Sequence, residues 1–160
     1  MGKVIIGATL SLDGFMSDRT GNVSRLYPDF DALHQSEMLQ EEIRTTGAVA
    51  MGRRSYEMAA GDLTGYEYQV PIFVLTHTVP KQKAIGENGQ LTLTFVTSGI
   101  ENIIEQAKAA AGDKQVTVVG GANTAQQCLR AGLVDEIHLG IVPILLGAVS
   151  YTHLTLPTKA

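Results

Sequence analysis

Two short stretches hold residues whose types and spacing suit chemistry. In AVAMGRRSYEMA, residues 48–59, an apolar run ends at Met51, Gly52 makes a turn, and Arg53, Arg54 and Ser55 open a helical pattern. In VTVVGGANTAQQCL, residues 116–129, β-branched residues run to Val119, the pair Gly120 and Gly121 follows, and helix begins after Ala122 with Asn123 and Thr124. A glycine at such a junction leaves the backbone bare, and the first amides of a helix have no partner within it. Backed by the positive end of the helix dipole, those amides suit phosphate oxygens. A hydrogen bond to a charged group contributes about 1.5 to 3 kcal/mol, and a helix terminus adds about 0.3 to 1 kcal/mol. One junction therefore holds little, whereas two suggest a diphosphate. Arg53 and Arg54 bring charge suited to a further phosphate.

A single strand-glycine-helix junction is also a common way to turn a chain, so it is the pair that points to a ligand. Neither stretch matches G-x-G-x-x-G or G-x-x-x-x-G-K-[ST], which leaves the ordinary Rossmann and nucleotide-triphosphatase readings without support. Asp13 and Gly14 in SLDG follow the first apolar run, where the carboxylate suits a substrate amide or hydroxyl and Asp-Gly equally suits a plain turn. Of the four histidines, His77 lies just past a strand pattern, and His34, His138 and His153 read as structural or solvent-facing. No metal-ligand spacing and no Ser-His-Asp arrangement is present, so no metal is expected and no residue is assigned a catalytic role.

The elements that must position these residues can be read from periodicity. Strand-like runs start at Val4, Ala48, Ile72, Leu93, Val116 and Glu136. The clearest helix is IENIIEQAKAAAG, with Ile100, Ile103, Ile104, Ala107 and Ala111 on one face, a capping box from Ser98 and Glu101, and Gly112 as its stop. An earlier helix is expected from about Phe30 to Thr45, capped by Asp29, turned inward at Leu33, Leu39 and Ile43, and ended by Gly47. A short helix should follow Gly52 and another should run from about Asn123 to Ala131. Strands alternating with helices predict an α/β sheet covered on both faces, with ligands at the carboxyl ends of the strands. Residues 18–28, 61–70 and 80–89 read as surface loops.

Composition sets the outer limits. The 160 residues, 44% apolar and 18% charged, fit one ordinary globular domain. A net charge of -4 gives no positive footprint for nucleic acid or an anionic membrane, so an anionic ligand has to be met locally. The one cysteine, Cys128, cannot form an internal disulfide and reads as a small buried residue. No signal peptide and no spanning stretch is apparent, and a cytoplasmic protein is expected.

Taken in order, MGRRSYE, PIFVLTH and VVGGANTAQQCLRAGLVDEIHL resemble the dihydrofolate reductase superfamily. The opening ATLSLDGFMSD and the closing VPILLG resemble its riboflavin-biosynthesis reductase branch, over about residues 3 to 147. The resemblance implies a single-domain, three-layer α/β/α fold around a mixed, mainly parallel sheet, and an NADPH-dependent reductase. It implies that Gly52, Arg53, Arg54 and Ser55 cradle phosphate, and that Leu75, Thr76 and His77 lie near the adenosine ribose and its 2′-phosphate. It also implies that Gly120, Gly121, Ala122, Asn123 and Thr124 take the pyrophosphate, with the glycine pair joined by a cis peptide. Asp13 and Gly14 match a motif beside the substrate pocket.

The substrate expected is a small heterocycle, pyrimidine or pterin-like, of the 5-amino-6-ribosylaminouracil type. A true dihydrofolate reductase is the alternative. Against it, Asp29, Asp31 and Glu37 give no match to the acidic residue those enzymes carry on their first helix, and the chain has no tryptophan. A non-catalytic nucleotide-binding protein is a further alternative. The family's habit of pairing subunits implies a homodimer. Residues 150–160, SYTHLTLPTKA, match nothing in the family pattern and resemble translated cloning or sequencing adapter. Residues 1–149 are therefore expected to form the reductase domain without its closing hairpin, leaving a sheet edge open to aggregation.

Overall fold

All six apolar runs form strands, and they pair into one sheet in the order β4-β3-β2-β5-β1-β6. The computed structural model describes residues 2–147. In chain order the elements are β1 (Val4–Ser11), a 3-10 turn (Ser24–Leu26), α1 (Phe30–Gln35), α2 (Glu37–Thr45), β2 (Thr46–Gly52) and α3 (Arg53–Met58). They continue with β3 (Ile72–Leu75), β4 (Leu93–Val96), α4 (Ile100–Ala111), β5 (Gln115–Val119), α5 (Ala122–Arg130) and β6 (Glu136–Val142). Every strand pairing among the described residues is parallel. The strand expected over residues 151–156 lies outside them.

Strand alternation divides the interior into two layers. Val4, Ile6, Ala48, Ala50, Val116 and Val118 face one way and pack with Ile103, Ile104 and Ala107 of α4 and with Ala125 and Cys128 of α5. Val49, Met51, Ile72 and Val74 face the other way, against Tyr56, Leu63, Tyr68 and Leu91. A parallel sheet buried on both faces explains why its strands read as nearly continuous apolar runs. Burying each large side chain contributes about 1.5 to 3 kcal/mol. Cys128 is fully enclosed, and burial pushes its thiol up to about 11.

The structure corrects the sequence reading at four places. The single helix expected from Phe30 to Thr45 is two, because Ser36 is extended (φ -66°, ψ 136°): its hydroxyl donates to the Leu33 carbonyl and accepts from the Leu39 amide, closing α1 and capping α2. Asp29 caps α1 as expected, accepting from the Ala32 amide at 2.9 Å. Gly47 does not end a helix; it lies inside β2, where a Cβ would come within 2.7 Å of Lys114 Cβ and 2.8 Å of the Ala111 carbonyl oxygen. No Ser98 capping box forms, since Gly99 is the N-cap of α4 at φ 101° and no side chain caps that end. The peptide between Gly120 and Gly121 is not cis, as no described peptide bond is; Gly120 at φ 72° makes the turn instead.

β6 pairs only with β1 among the described residues and leaves Ile137, Leu139 and Ile141 exposed by 45, 46 and 62%. Among the described residues no helix is long and apolar enough to cross a membrane.

Candidate functional site

Strand register brings the two glycine junctions together. β2 lies beside β5 with Met51 opposite Val119, so Gly52 and Gly120, one residue further on, leave the sheet side by side at its carboxyl edge. On the other flank β3 pairs with β2 so that Leu75 stands opposite Gly52, and Thr76 and His77 follow at the same edge. All twelve residues read from the sequence as a phosphate and ribose site line one groove of about 1910 Å³.

The two junctions also interlock. A Cβ on Gly52 would lie 2.5 Å from Thr124 Oγ1 on α5, and a Cβ on Gly120 would lie 1.9 Å from Ser55 Oγ on α3. Each glycine thus makes room for a hydroxyl of the opposite helix, a closeness that no side-chain-bearing residue permits. Gly52 and Gly121 are the N-caps of α3 and α5, and neither helix end has a side-chain cap. The first-turn amides therefore have neither an intrahelical partner nor a capping side chain. The residues of both helix starts line the shared groove, and α1 and α2 differ by being capped by Asp29 and Ser36.

Charge around the groove is unevenly committed. Arg53 forms an ion pair with Glu57 one turn away at 2.6 Å, whereas no ion pair is made by Arg54 among the described residues. Thr76 is buried and donates from its hydroxyl to the Thr78 carbonyl at 2.8 Å, which fixes the turn after β3; His77 is exposed. Asn123 accepts from Gln127 Nε2 at 2.6 Å along α5. Thr97 and Gly99, at the start of α4, line the same groove. The sequence reading missed them because it placed a capping box there; a glycine between a strand and a helix was the signal available.

The sequence matches the family described as RibD C-terminal domain over residues 2–158. The chain belongs to the RibD C-terminal domain family. Among solved structures this family member resembles a protein of Shewanella sp. PV-4 assigned to riboflavin biosynthesis, with 25% identity, a TM-score of 0.71, and coverage of 91% of this chain and 80% of that one. It shares a fold, at 14% identity and a TM-score of 0.62, with Enterococcus faecalis dihydrofolate reductase complexed with NADP(H), covering 97% of this chain and 78% of that one. Among curated proteins, the uncharacterized YyaP of Bacillus subtilis (strain 168) is 23% identical over 152 residues, covering 91% of this chain and 77% of YyaP. The riboflavin-type resemblance read from the sequence is thus confirmed, with its dihydrofolate reductase-like α/β fold.

In this RibD C-terminal domain, Asp13 and Gly14 do not line the groove that the other twelve residues share. The Asp13 carboxylate accepts from Ser11 Oγ at 2.5 Å, from the Leu146 amide at 3.1 Å and from the Gly147 amide at 2.8 Å. The Ser11 hydroxyl, followed by the two amides, holds its pKa down at about 2. Gly14, at φ 84°, completes the turn with its amide donating to the Ser11 carbonyl. The SLDG motif so ties the end of β1 to the segment after β6.

A second polar feature of the domain went unread. Glu42, in the last turn of α2, is half-buried over Gly7 in the middle of β1, and its Oε1 accepts from the Tyr68 hydroxyl at 3.1 Å. Burial, followed by the charge of Glu42, raises the Tyr68 phenol, and burial raises its neighbour Tyr66. Beneath lie the buried hydroxyls of Thr46 and Thr117, 2.7 Å apart. An isolated glycine inside a strand was the available signal, since it marks a close approach.

Proposed function

We propose that the chain is an NADPH-dependent reductase of a small heterocyclic substrate, pyrimidine or pterin-like, of the kind handled in riboflavin biosynthesis. The observation that carries this reading is the register of β2 against β5, which sets two uncapped, glycine-led helix ends beside each other over one groove. A diphosphate suits this cradle because both helix ends lack a side-chain cap and a Cβ on Gly121, the N-cap of α5, would meet no protein atom within 4 Å. Gly52, Ser55 and residues 120–124 would hold the pyrophosphate through backbone amides and hydroxyls. Arg54, without an ion pair among the described residues, would meet the 2′-phosphate, and Leu75, Thr76 and His77 would border the ribose. Support also comes from membership of the RibD C-terminal domain family and from the shared fold with a reductase complexed with NADP(H).

NADPH, when bound, supplies the hydride. The chain's part is to hold the nicotinamide and the acceptor in contact and to keep water out, which asks for orientation more than for an acid-base pair. The test is a thermal melt with millimolar NADPH, followed by the nicotinamide absorbance with a 5-amino-6-ribosylaminouracil. A rise in Tm followed by loss of absorbance is expected; ligand at about 100 times its Kd stabilises by about 2.7 kcal/mol. No rise in Tm overturns the reading. A rise with no turnover on any heterocycle favours a nucleotide-binding protein without catalysis.

A further inference from the structure

We infer that Met58 is a modification site: a peroxide oxidises its thioether to the sulfoxide, and the sulfoxide weakens NADPH binding by engaging Arg54. The inference rests on the reductase reading, in which Arg54 meets the 2′-phosphate, and adds to it a residue and a chemistry that the reading does not use. Met16, Met38, Met51 and Met58, every methionine among the described residues, line the shared groove. Met51 is buried and Met16 half-buried, whereas Met38 and Met58 are 70 and 60% exposed and open to a small oxidant. Cys128, the one thiol of the chain, is fully enclosed.

The helical neighbours of the two exposed methionines set them apart. Met58 is the last residue of α3 and Arg54 lies one turn before it, so their Cβ atoms are about 5 to 6 Å apart. Side chains on a helix tilt toward its N-terminus, which leans Met58 back over Arg54. Arg54 is exposed and has no ion pair among the described residues, while Glu57 is taken by Arg53. Met38, near the start of α2, has Glu41 and Glu42 one turn on, and these carboxylates offer acceptors only. The oxidation balances with peroxide alone. The sulfur lone pair attacks one peroxide oxygen, an S–O bond forms and the O–O bond breaks; a proton passes from the transferred oxygen to the departing hydroxide, which leaves as water. Sulfur is oxidised, the peroxide is reduced, and a flexible apolar side chain becomes a polar one. The sulfoxide oxygen accepts a charge-assisted hydrogen bond from the Arg54 guanidinium, a bond that has to be given up before Arg54 holds a phosphate. At Met38 the same oxygen meets carboxylates and gains no such donor.

The test uses the full chain and hydrogen peroxide, with peptide masses to locate the added oxygen and calorimetric titration of NADPH and NADH before and after treatment. Peroxide should add oxygen at Met58 and Met38 ahead of Met51. It should weaken NADPH about threefold or more, and NADH much less, since NADH lacks the 2′-phosphate. Met58→Leu keeps the apolar volume without an oxidisable sulfur, so its NADPH affinity should stay within about 1.5-fold through the same treatment. Met38→Leu should lose affinity on treatment as the wild type does. Reduction of the treated wild type by a methionine sulfoxide reductase should restore it. Met58→Gln, which carries an amide oxygen without any oxidant, should reproduce part of the loss. An oxidised Met58 with unchanged NADPH affinity overturns the inference, as does a Met58 that peroxide leaves unmodified or a Met58→Leu variant that loses as much as the wild type. An untreated chain that does not bind NADPH removes the reductase reading and this inference with it; binding that survives oxidation removes the inference alone.

Discussion

Gly120 stands so close to Ser55 that a Cβ on the glycine would lie 1.9 Å from the serine Oγ and 2.8 Å from its Cβ. Gly120 also sits at φ 72°, a backbone that costs other residues about 1 to 2 kcal/mol. Gly120→Ala should therefore lower stability by at least that amount in urea denaturation. Truncating Ser55 to alanine should rescue little, since its Cβ still obstructs. Gly120→Ala combined with Ser55→Gly should recover the steric part and keep the backbone part. An unchanged midpoint for Gly120→Ala alone would refute the contact.

Arg54 and Arg53 are adjacent in sequence and differ in commitment. Arg53 is paired with Glu57, and Arg54 has no ion pair among the described residues. Arg54→Glu should weaken NADPH about tenfold or more and NADH much less, because only the former carries the 2′-phosphate. Arg53→Ala should affect both cofactors by less than about threefold. Equal losses for NADPH and NADH in Arg54→Glu, read by titration, would remove the 2′-phosphate assignment.

The cradle was legible because its logic is local: apolar run, glycine, helical pattern, repeated twice. Sequence spacing alone does not say that two such corners meet, and here the meeting depends on β5 returning to lie between β1 and β2. The split of the first helix at Ser36 escaped periodicity because Leu33, Leu39 and Ile43 keep a helical spacing across the break, while a hydroxyl that both accepts and donates sets the break itself. Gly47 and Gly99 were read as local punctuation, yet Gly47 is fixed by the approach of α4 and Gly99 by its own positive φ. Glu42 stayed hidden because its partners, Gly7 and Tyr68, are 35 and 26 residues away.

Ile137 lies on β6, the outer strand of the sheet among the described residues, 45% exposed, between Glu136 and His138. A flat apolar edge is a template for pairing with another chain, and an added charge blunts it. Ile137→Lys should lower self-association, followed as light scattering against protein concentration, and leave the Tm within a few degrees. Scattering that matches the wild type would show that β6 is not the sticky edge.

Asp13 gathers donors from Ser11, Leu146 and Gly147, and the Ser11 hydroxyl above all lowers its pKa from 3.8 to about 2. A carboxyl whose pKa is lower in the folded chain than in the unfolded one stabilises the fold above the unfolded value, and that contribution is lost as pH falls through the folded value. The Asp13 share of stability should then be complete at pH 5 and above and fade between about pH 4 and pH 2. Asp13→Asn keeps one acceptor and loses the charge, so its Tm should fall below that of the wild type at pH 7. Thermal melts of both proteins across this range should show the gap holding to about pH 5 and closing as the wild type takes up its proton. A gap that persists at pH 2, or widens on acidification, would mean that the carboxylate does not hold the segment after β6 to the turn after β1.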